Sequence, residues 1–84
     1  MAELLGNPLR YNETLPSNNA NDFVNNGWWN CEDKVSNMPV NWSYLFVYRM
    51  GSSNFILQFS INNESGGIFY RKRYAGTWLE WKEL

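Results

Sequence analysis

The segment that decides the fold spans residues 42–62 and reads WSYLFVYRMGSSNFILQFSIN. From position 54 to 62, apolar and polar residues alternate, with Ile56 as the one exception. A period of two is typical of a β-strand with two unlike faces. Glycine and serine at 51–53 predict a turn, so residues 42–62 are expected to form an antiparallel hairpin.

The same pattern extends outward from this hairpin. An aromatic segment at 27–31 and two later segments at 68–74 and 78–82 are predicted strands, separated by turns at 37–39, 62–67 and 75–77. Turns of three to six residues force successive strands to pair antiparallel. The predicted fold class is mainly β with one short helix: a small antiparallel β-meander of four to five strands, preceded by an extended N-terminal arm.

The first hairpin strand is apolar on both faces, since Leu45 and Val47 point away from the aromatic residues that alternate with them. A strand of this kind is central in its sheet and covered twice. A short chain offers one cover itself, and the second cover is most economically another subunit.

Residues 1–16 are predicted to be an assembly or anchoring arm, and residues 17–84 a knob-like β domain. Within that domain, residues 17–26 are predicted to be a short helix, because Ala20, Phe23 and Val24 form one apolar stripe. The predicted subunit contacts comprise the apolar residues of the arm and the aromatic residues of the central strand: Leu4, Leu5, Leu9, Tyr11, Leu15, Tyr44, Phe46 and Tyr48.

Composition excludes several classes of protein. A chain of 84 residues forms at most one domain, and it buries only about 60% of its unfolded surface. It contains no apolar run near the roughly 20 residues that span a bilayer, and its N-terminus does not resemble a signal peptide. Histidine is absent and Cys31 is the one cysteine. We therefore predict no enzymatic activity, no catalytic residue, no metal site and no cofactor.

Charge is unevenly distributed along the chain. Residues 1–42 carry two basic and five acidic residues, a net charge of −3, whereas residues 43–84 carry five basic and three acidic residues, a net charge of +2. The run Arg71-Lys72-Arg73 lies between two tyrosines, a pattern that also occurs in single-strand nucleic-acid binding. Because the whole chain has a net charge of −1, a nucleic-acid-binding β module is an alternative and no nucleic acid is expected as partner.

Aromatic residues make up 18% of the chain and include five tryptophans, more than a core of this size needs. Indole and phenol rings next to amides or guanidinium groups suit sugar binding, because C–H groups pack on the ring while polar groups bond the hydroxyls. The candidate glycan-binding residues combine rings with such polar groups: Trp28, Gln58, Tyr70, Arg71, Arg73, Trp78 and Trp81.

The order of short motifs resembles the pyocin-knob domain of phage tail fibres and R-type pyocin fibres. The resemblance covers about residues 18–84 and is carried by several motifs in order: Asn21-Asp22-Phe23, Gly27-Trp28-Trp29, Asn37-Met38-Pro39, Leu45-Phe46-Val47, Gln58, Tyr70-Arg71 and Gly76-Thr77-Trp78-Leu79-Glu80-Trp81. Either Arg71 or Arg73 fills the arginine position of this pattern.

The resemblance implies a virion or tailocin structural protein on a trimeric fibre, associated with attachment to bacterial surface glycans. The expected partners are sister chains, other virion or tail proteins and bacterial surface polysaccharide, without membrane insertion. The expected location is the virion, after synthesis in the bacterial host cytoplasm. A purely structural assembly or decoration protein without a ligand is the first alternative function, and the nucleic-acid module is the second.

Overall fold

Six β-strands make up the regular structure of residues 10–49, 51 and 54–84, the part of the chain that the structure, a computed structural model, describes. The strands are β1 (Gly27–Glu32), β2 (Ser43–Arg49), β3 (Phe55–Asn62), β4 (Ile68–Tyr74), β5 (Thr77–Trp78) and β6 (Lys82–Glu83). They form one antiparallel sheet in the order β1-β2-β3-β4-β5, and β6 also pairs with β4. The predicted mainly β meander is confirmed.

The central hairpin has an uninterrupted register from Ser43↔Asn62 to Arg49↔Ile56. Both strands lie within one residue of their predicted limits, and β2 is central, as predicted, between β1 and β3. Asn62 closes the turn after β3, because its side-chain oxygen accepts hydrogen bonds from the backbone N–H groups of Glu64 and Ser65. Short local signals of this kind explain why the meander could be predicted from the sequence.

The two faces of the sheet differ in burial. The covered face carries the buried side chains of the four long strands: Trp29, Cys31, Ser43, Leu45, Val47, Ile56, Gln58, Ser60, Asn62 and Arg71. In β3 the covered face is therefore the one that bears the polar residues, and the more apolar side of the strand is only half-buried or exposed. A layer of irregular chain supplies the cover, with Ala20 and Phe23 both fully buried in the same core cluster.

The predicted helix at residues 17–26 is wrong in extent, because it is reduced to a single 3-10 turn at Ala20–Asp22. Asn19 caps this turn by accepting a hydrogen bond from the Asn21 backbone N–H at 2.9 Å. The turn ends at Phe23, where the Gln58 side chain donates to the carbonyl oxygens of Ala20 and Phe23. Since these carbonyls bond a side chain of β3, the chain gains no further helical turn.

The predicted contact residues Leu4, Leu5 and Leu9 lie outside the described residues. Residues 10–14, which we call the strap, lie along the outer edge of β1. Trp28 donates its N–H to the Arg10 carbonyl, and Asn12 donates its N–H to the Trp28 carbonyl, at 2.9 and 3.0 Å. The chain is therefore extended at this point, and it passes on to Leu15, which packs half-buried against the core cluster.

The predicted last strand at 78–82 is split into β5 and β6, which pair with opposite ends of β4. Trp78 pairs with Arg73, and Lys82 pairs with Tyr70. The C-terminal segment thus advances by four residues between these pairs, whereas β4 advances by three. One extra residue reverses the alternation of side chains, as in a β-bulge. The bulge brings Trp81 to the same side as Trp78.

Candidate functional site

The predicted binding residues lie on both faces of the sheet. Gln58, Arg71, Trp78 and Trp81 belong to one polar cluster at the C-terminal end of the covered face, and Arg73 lies beside it. Trp28 and Tyr70 lie on the opposite face of the sheet, across β2 and β3 from one another. The sequence-based candidates therefore do not form a single site.

The Arg71 cluster is defined by Arg71, Gln58, Asn21, Trp78 and Trp81. The guanidinium of Arg71 donates from Nε to Gln58 Oε1 at 2.7 Å and from Nη2 to Asn21 Oδ1 at 2.9 Å. Its Cζ lies 4.1 Å from the ring centre of Trp78 and 4.8 Å from that of Trp81. The cation is thus held by two neutral amides and two indole rings.

Burial dominates the electrostatics of this cluster. Arg71 is 6% exposed, and among the described residues it forms no ion pair with a carboxylate. Removal of the guanidinium from water lowers the pKa of Arg71 to about 10. The group stays charged at neutral pH, and its hydrogen bonds and ring contacts offset part of the cost of desolvation.

Each polar atom of the Gln58 side chain has a partner within the protein. Nε2 donates to the Ala20 and Phe23 carbonyls at 2.8 and 3.0 Å, and Oε1 accepts from Arg71. The residue is fully buried. Gln58 and Arg71 therefore lie behind the surface and connect the sheet to the 3-10 turn.

Trp78 and Trp81 flank the same guanidinium, although residues three apart in a regular strand would point to opposite faces. The bulge between β5 and β6 is the reason. Their indole N–H groups donate to the backbone carbonyls of Asn21 at 3.3 Å and Asn37 at 2.8 Å. Both residues remain half-buried, so parts of the two rings face solvent.

Arg73 presents a second guanidinium near the same indole. Its Cζ lies 5.8 Å from the Trp78 ring centre, and its Nε is buried without a hydrogen-bond partner among the described residues. The residue itself is half-buried. Of the two arginines in the basic run, Arg73 is the more accessible, and it has unused hydrogen-bonding capacity.

The aromatic face is the side of the sheet opposite the covered face. Four aromatic residues lie in one row across four strands: Trp28, Phe46, Phe59 and Tyr70. Trp28 stacks on Phe46 with ring centres 5.3 Å apart, and Tyr11 lies 4.7 Å from Trp28 on its other side. Tyr44 and Trp28 form a T-shaped pair with ring centres 5.9 Å apart, whereas Tyr48 is 48% exposed. No described segment covers this face as the 3-10 turn covers the other.

A small hollow of about 230 Å³ adjoins the aromatic face at the C-terminal edge of the sheet. Tyr70 lies in its wall beside two lysines, Lys72 and Lys82, with Leu57 and Leu79 as apolar neighbours. Glu80 also lines it, so the hollow combines a phenol ring, charges of both signs and an apolar surface.

Asn21 is the one member of the Arg71 cluster that sequence reasoning missed as a polar contact. It contributes through its side-chain oxygen to Arg71 and through its carbonyl to Trp78. The sequence placed it within a helix, and a partner 50 residues away in the chain leaves no local signal.

Among the described residues, no group of three histidine, cysteine, aspartate or glutamate side chains lies close enough to hold a metal ion. Cys31 is fully buried, and burial raises the pKa of its thiol to about 12. At neutral pH this thiol is therefore in its neutral, unreactive form. In the described part of the chain, no helix is long and apolar enough to span a membrane.

Comparisons with known structures identify relatives of this fold. The chain is 30% identical in sequence to the R1 pyocin fibre of P. aeruginosa, with a TM-score of 0.71 over 88% of this chain and 20% of the fibre structure. It is 26% identical to an N-truncated R2-type pyocin tail fibre, with a TM-score of 0.72 over 94% of this chain and 33% of that structure. The chain thus spans a third or less of the length of these fibre structures.

No family model and no curated protein sequence matches the chain. The structural likeness nevertheless covers 88% to 94% of the chain. The resemblance found in the sequence is confirmed: the chain has the fold of a pyocin or phage tail-fibre-type domain.

Proposed function

We propose that this protein is a non-enzymatic tail-fibre-type domain of a phage or tailocin particle that contributes to host attachment by binding bacterial surface polysaccharide. The observation that carries the proposal is the similarity to two pyocin tail fibres over about nine-tenths of the chain. The protein would be made in the bacterial cytoplasm and function in the virion, next to sister chains and other tail proteins.

Homotrimeric assembly through the aromatic face is part of this proposal. The row of rings from Trp28 to Tyr70 has no cover within the described chain, whereas β2 buries Leu45 and Val47 on the other side. Burial of such a surface favours association, because removal of apolar area from water is stabilising. Tyr44, Phe46 and Tyr48 would lie in the contact, and a closed threefold arrangement would leave no copy unpaired.

The saccharide surface of this proposal includes the solvent-facing parts of Trp78 and Trp81 together with Arg73. A pyranose ring would stack on an indole, and the guanidinium of Arg73 would bond a hydroxyl or an acidic substituent. Gln58 and Arg71 would support these rings from behind. Trp28 and Tyr70 would serve at the margin of the subunit contact, where Tyr70 borders the hollow with Lys72 and Lys82.

A glycan array of bacterial surface polysaccharides tests the proposal directly. Purified protein is expected to bind particular polysaccharides weakly per site, with avidity from several copies. Trp78→Ala and Arg73→Ala are expected to lower binding, whereas Lys34→Ala serves as the control, because Lys34 is an exposed cation outside the proposed saccharide surface. Absence of binding to every polysaccharide would contradict the attachment function.

A purely structural role in assembly or decoration is the second candidate. It is favoured by the internal use of both indole N–H groups and of every polar atom of Gln58. A negative array together with a stable oligomer in light scattering would establish this alternative.

The nucleic-acid alternative has less support. Lys72 alternates with Arg71 and Arg73 across the two faces, so the basic run offers phosphates no continuous strip. Retention on a phosphate-rich column that is lost as salt rises would revive it.

A further inference from the structure

A cleft that plays no part in the arguments above lies between the strap and the turn that leads into β1. It measures about 530 Å³ and is lined by Tyr11, Asn12, Glu13 and Thr14 on one side and by Asn25, Asn26 and Trp29 on the other. We call it the amide cleft. Its volume falls within the range of about 300–1,000 Å³ that is typical of small-ligand sites.

The protein holds this cleft open by its own hydrogen bonds. The Trp29 indole N–H donates to the Thr14 carbonyl at 3.2 Å and so joins the two sides of the cleft. The strap also follows β1 through backbone hydrogen bonds with Trp28. The strap also packs tightly on Gly27, where an added Cβ would lie 2.5 Å from Asn12 Nδ2. Gly27 has a φ of +148°, which L side chains rarely adopt. The wall is therefore fixed before any ligand binds.

On the opposite side, Arg49 fixes both asparagines. Its backbone N–H donates to Asn26 Oδ1 at 2.6 Å, and its Nη1 donates to Asn25 Oδ1 at 2.8 Å. Both amide oxygens are thus occupied, and the Nδ2 groups donate to no described residue. The two asparagines offer N–H donors in a fixed orientation, and Arg49 extends the polar surface into an adjoining hollow of about 430 Å³.

Acceptors and a ring complete the lining. The Glu13 carboxylate is exposed and forms no ion pair among the described residues, and the Thr14 hydroxyl is likewise unpaired there. Tyr11 is 50% exposed beside them. A surface that presents N–H donors, a carboxylate acceptor and an aromatic ring matches a polyol, because each hydroxyl both donates and accepts while the sugar C–H groups pack on the ring. An anionic ligand would face Glu13 at a cost.

We propose that the amide cleft binds a neutral saccharide unit and forms a second contact of this domain with a bacterial polysaccharide. The inference rests on the proposed attachment function and adds a site at the β1 edge of the sheet, away from Trp78 and Trp81. A polysaccharide chain that touches both places would gain affinity from two weak contacts.

NMR titration of the isotopically labelled protein tests this inference, with the methyl glycosides of glucose, rhamnose and N-acetylglucosamine as probes. We expect shifts of the side-chain amide signals of Asn25 and Asn26 and of the Trp29 indole N–H. Glu13→Gln and Asn25→Ala are expected to weaken binding about tenfold, the usual effect of one lost hydrogen bond to a ligand. Glu64→Gln and Asn63→Ala are the matched controls, since both residues are exposed in the distant turn after β3.

The outcomes separate this inference from the function on which it rests. Shifts confined to the surroundings of Trp78, Trp81 and Arg73 would overturn the amide cleft and leave the attachment function in place. Shifts in the cleft that Glu13→Gln and Asn25→Ala do not weaken would also overturn it, because the named groups would then not hold the sugar. No shift with any probe, together with a negative glycan array, would overturn both.

Discussion

The two faces of this sheet differ in which side chains they carry and in what covers them. The covered face takes in polar side chains such as Gln58 and Arg71 and gives them partners, under a cover supplied by the 3-10 turn. The aromatic face carries a row of four rings across the strands and leaves them half-buried. The hydrophobicity of a face therefore does not decide alone which face is buried. The buried face is the one over which the chain itself places a covering layer.

The largest expected effect distinguishes two adjacent residues of β2. Leu45 is fully buried on the covered face, whereas Phe46 points to the aromatic face. Leu45→Ala is expected to lower the free energy of unfolding by about 2–5 kcal/mol, because it leaves a cavity in the core. Phe46→Ala is expected to cost clearly less in the dissociated chain. Urea unfolding followed by tryptophan fluorescence measures both, and equal losses would contradict the difference between the faces.

A pH prediction concerns Cys31 on the covered face. Its folded pKa of about 12 lies above the ordinary value of 9.0, so the thiol stabilises the fold fully below pH 9. Between pH 9 and 12 only the unfolded chain releases this proton, and stability falls by up to about 4 kcal/mol. The measurement is the stability of the wild type relative to Cys31→Ala as pH rises.

The wild type should lose its advantage over Cys31→Ala across that range. Arg71 has the opposite sign: because its pKa is lowered to about 10, the folded chain releases its proton first, and this contribution favours the folded state above pH 10. It is present in both proteins and cancels in the difference. A constant difference between the two proteins from pH 8 to 12 would show that the thiol is not held in its neutral form.

A matched pair of cations compares the faces again. Arg71→Met is expected to cost about 2–3 kcal/mol, since it leaves Gln58 Oε1 and Asn21 Oδ1 without their donor. Lys72→Met changes an exposed neighbour on the other face and should alter stability by no more than about 0.5 kcal/mol. Thermal unfolding of the two variants supplies the test. Equal melting temperatures would mean that the Arg71 cluster contributes little to the fold.

These cases also show how far the sequence could lead. The meander was predictable because alternation in 54–62 and turn residues such as Asn62 act locally. The reduction of the helix to one turn was not, because its cause is Gln58, 35 residues beyond Phe23 in the chain. Trp78 and Trp81 lie on the same side because of a one-residue bulge. Neither the composition nor the periodicity of the sequence reveals this bulge.

The candidate site was predictable only in part for the same reason. Alternation alone puts Arg71 and Arg73 on one face and Lys72 on the other, but it does not say which face is covered. Alternation in β3 separates polar from apolar side chains, and the structure buries the polar side because amides there bond the irregular layer above it. The amide cleft joins Glu13 to Asn25 through backbone pairing with β1, a contact that sequence spacing does not reveal.

The smallest expected effect on the single chain concerns Tyr48, at the exposed end of the aromatic face. Tyr48→Glu should change the free energy of unfolding of the dissociated chain by no more than about 0.5 kcal/mol, because the side chain is 48% exposed. In the proposed trimer the same carboxylate would lie against the rings of a sister chain and weaken assembly, because a buried charge without a partner is costly. Sedimentation velocity across micromolar concentrations measures this, with Asn63→Glu as the control for added charge. If Tyr48→Glu and the wild type sediment alike as oligomers, assembly uses another surface; if both sediment as folded monomers, the aromatic face is stable in water and the contrast between the faces does not require a sister chain.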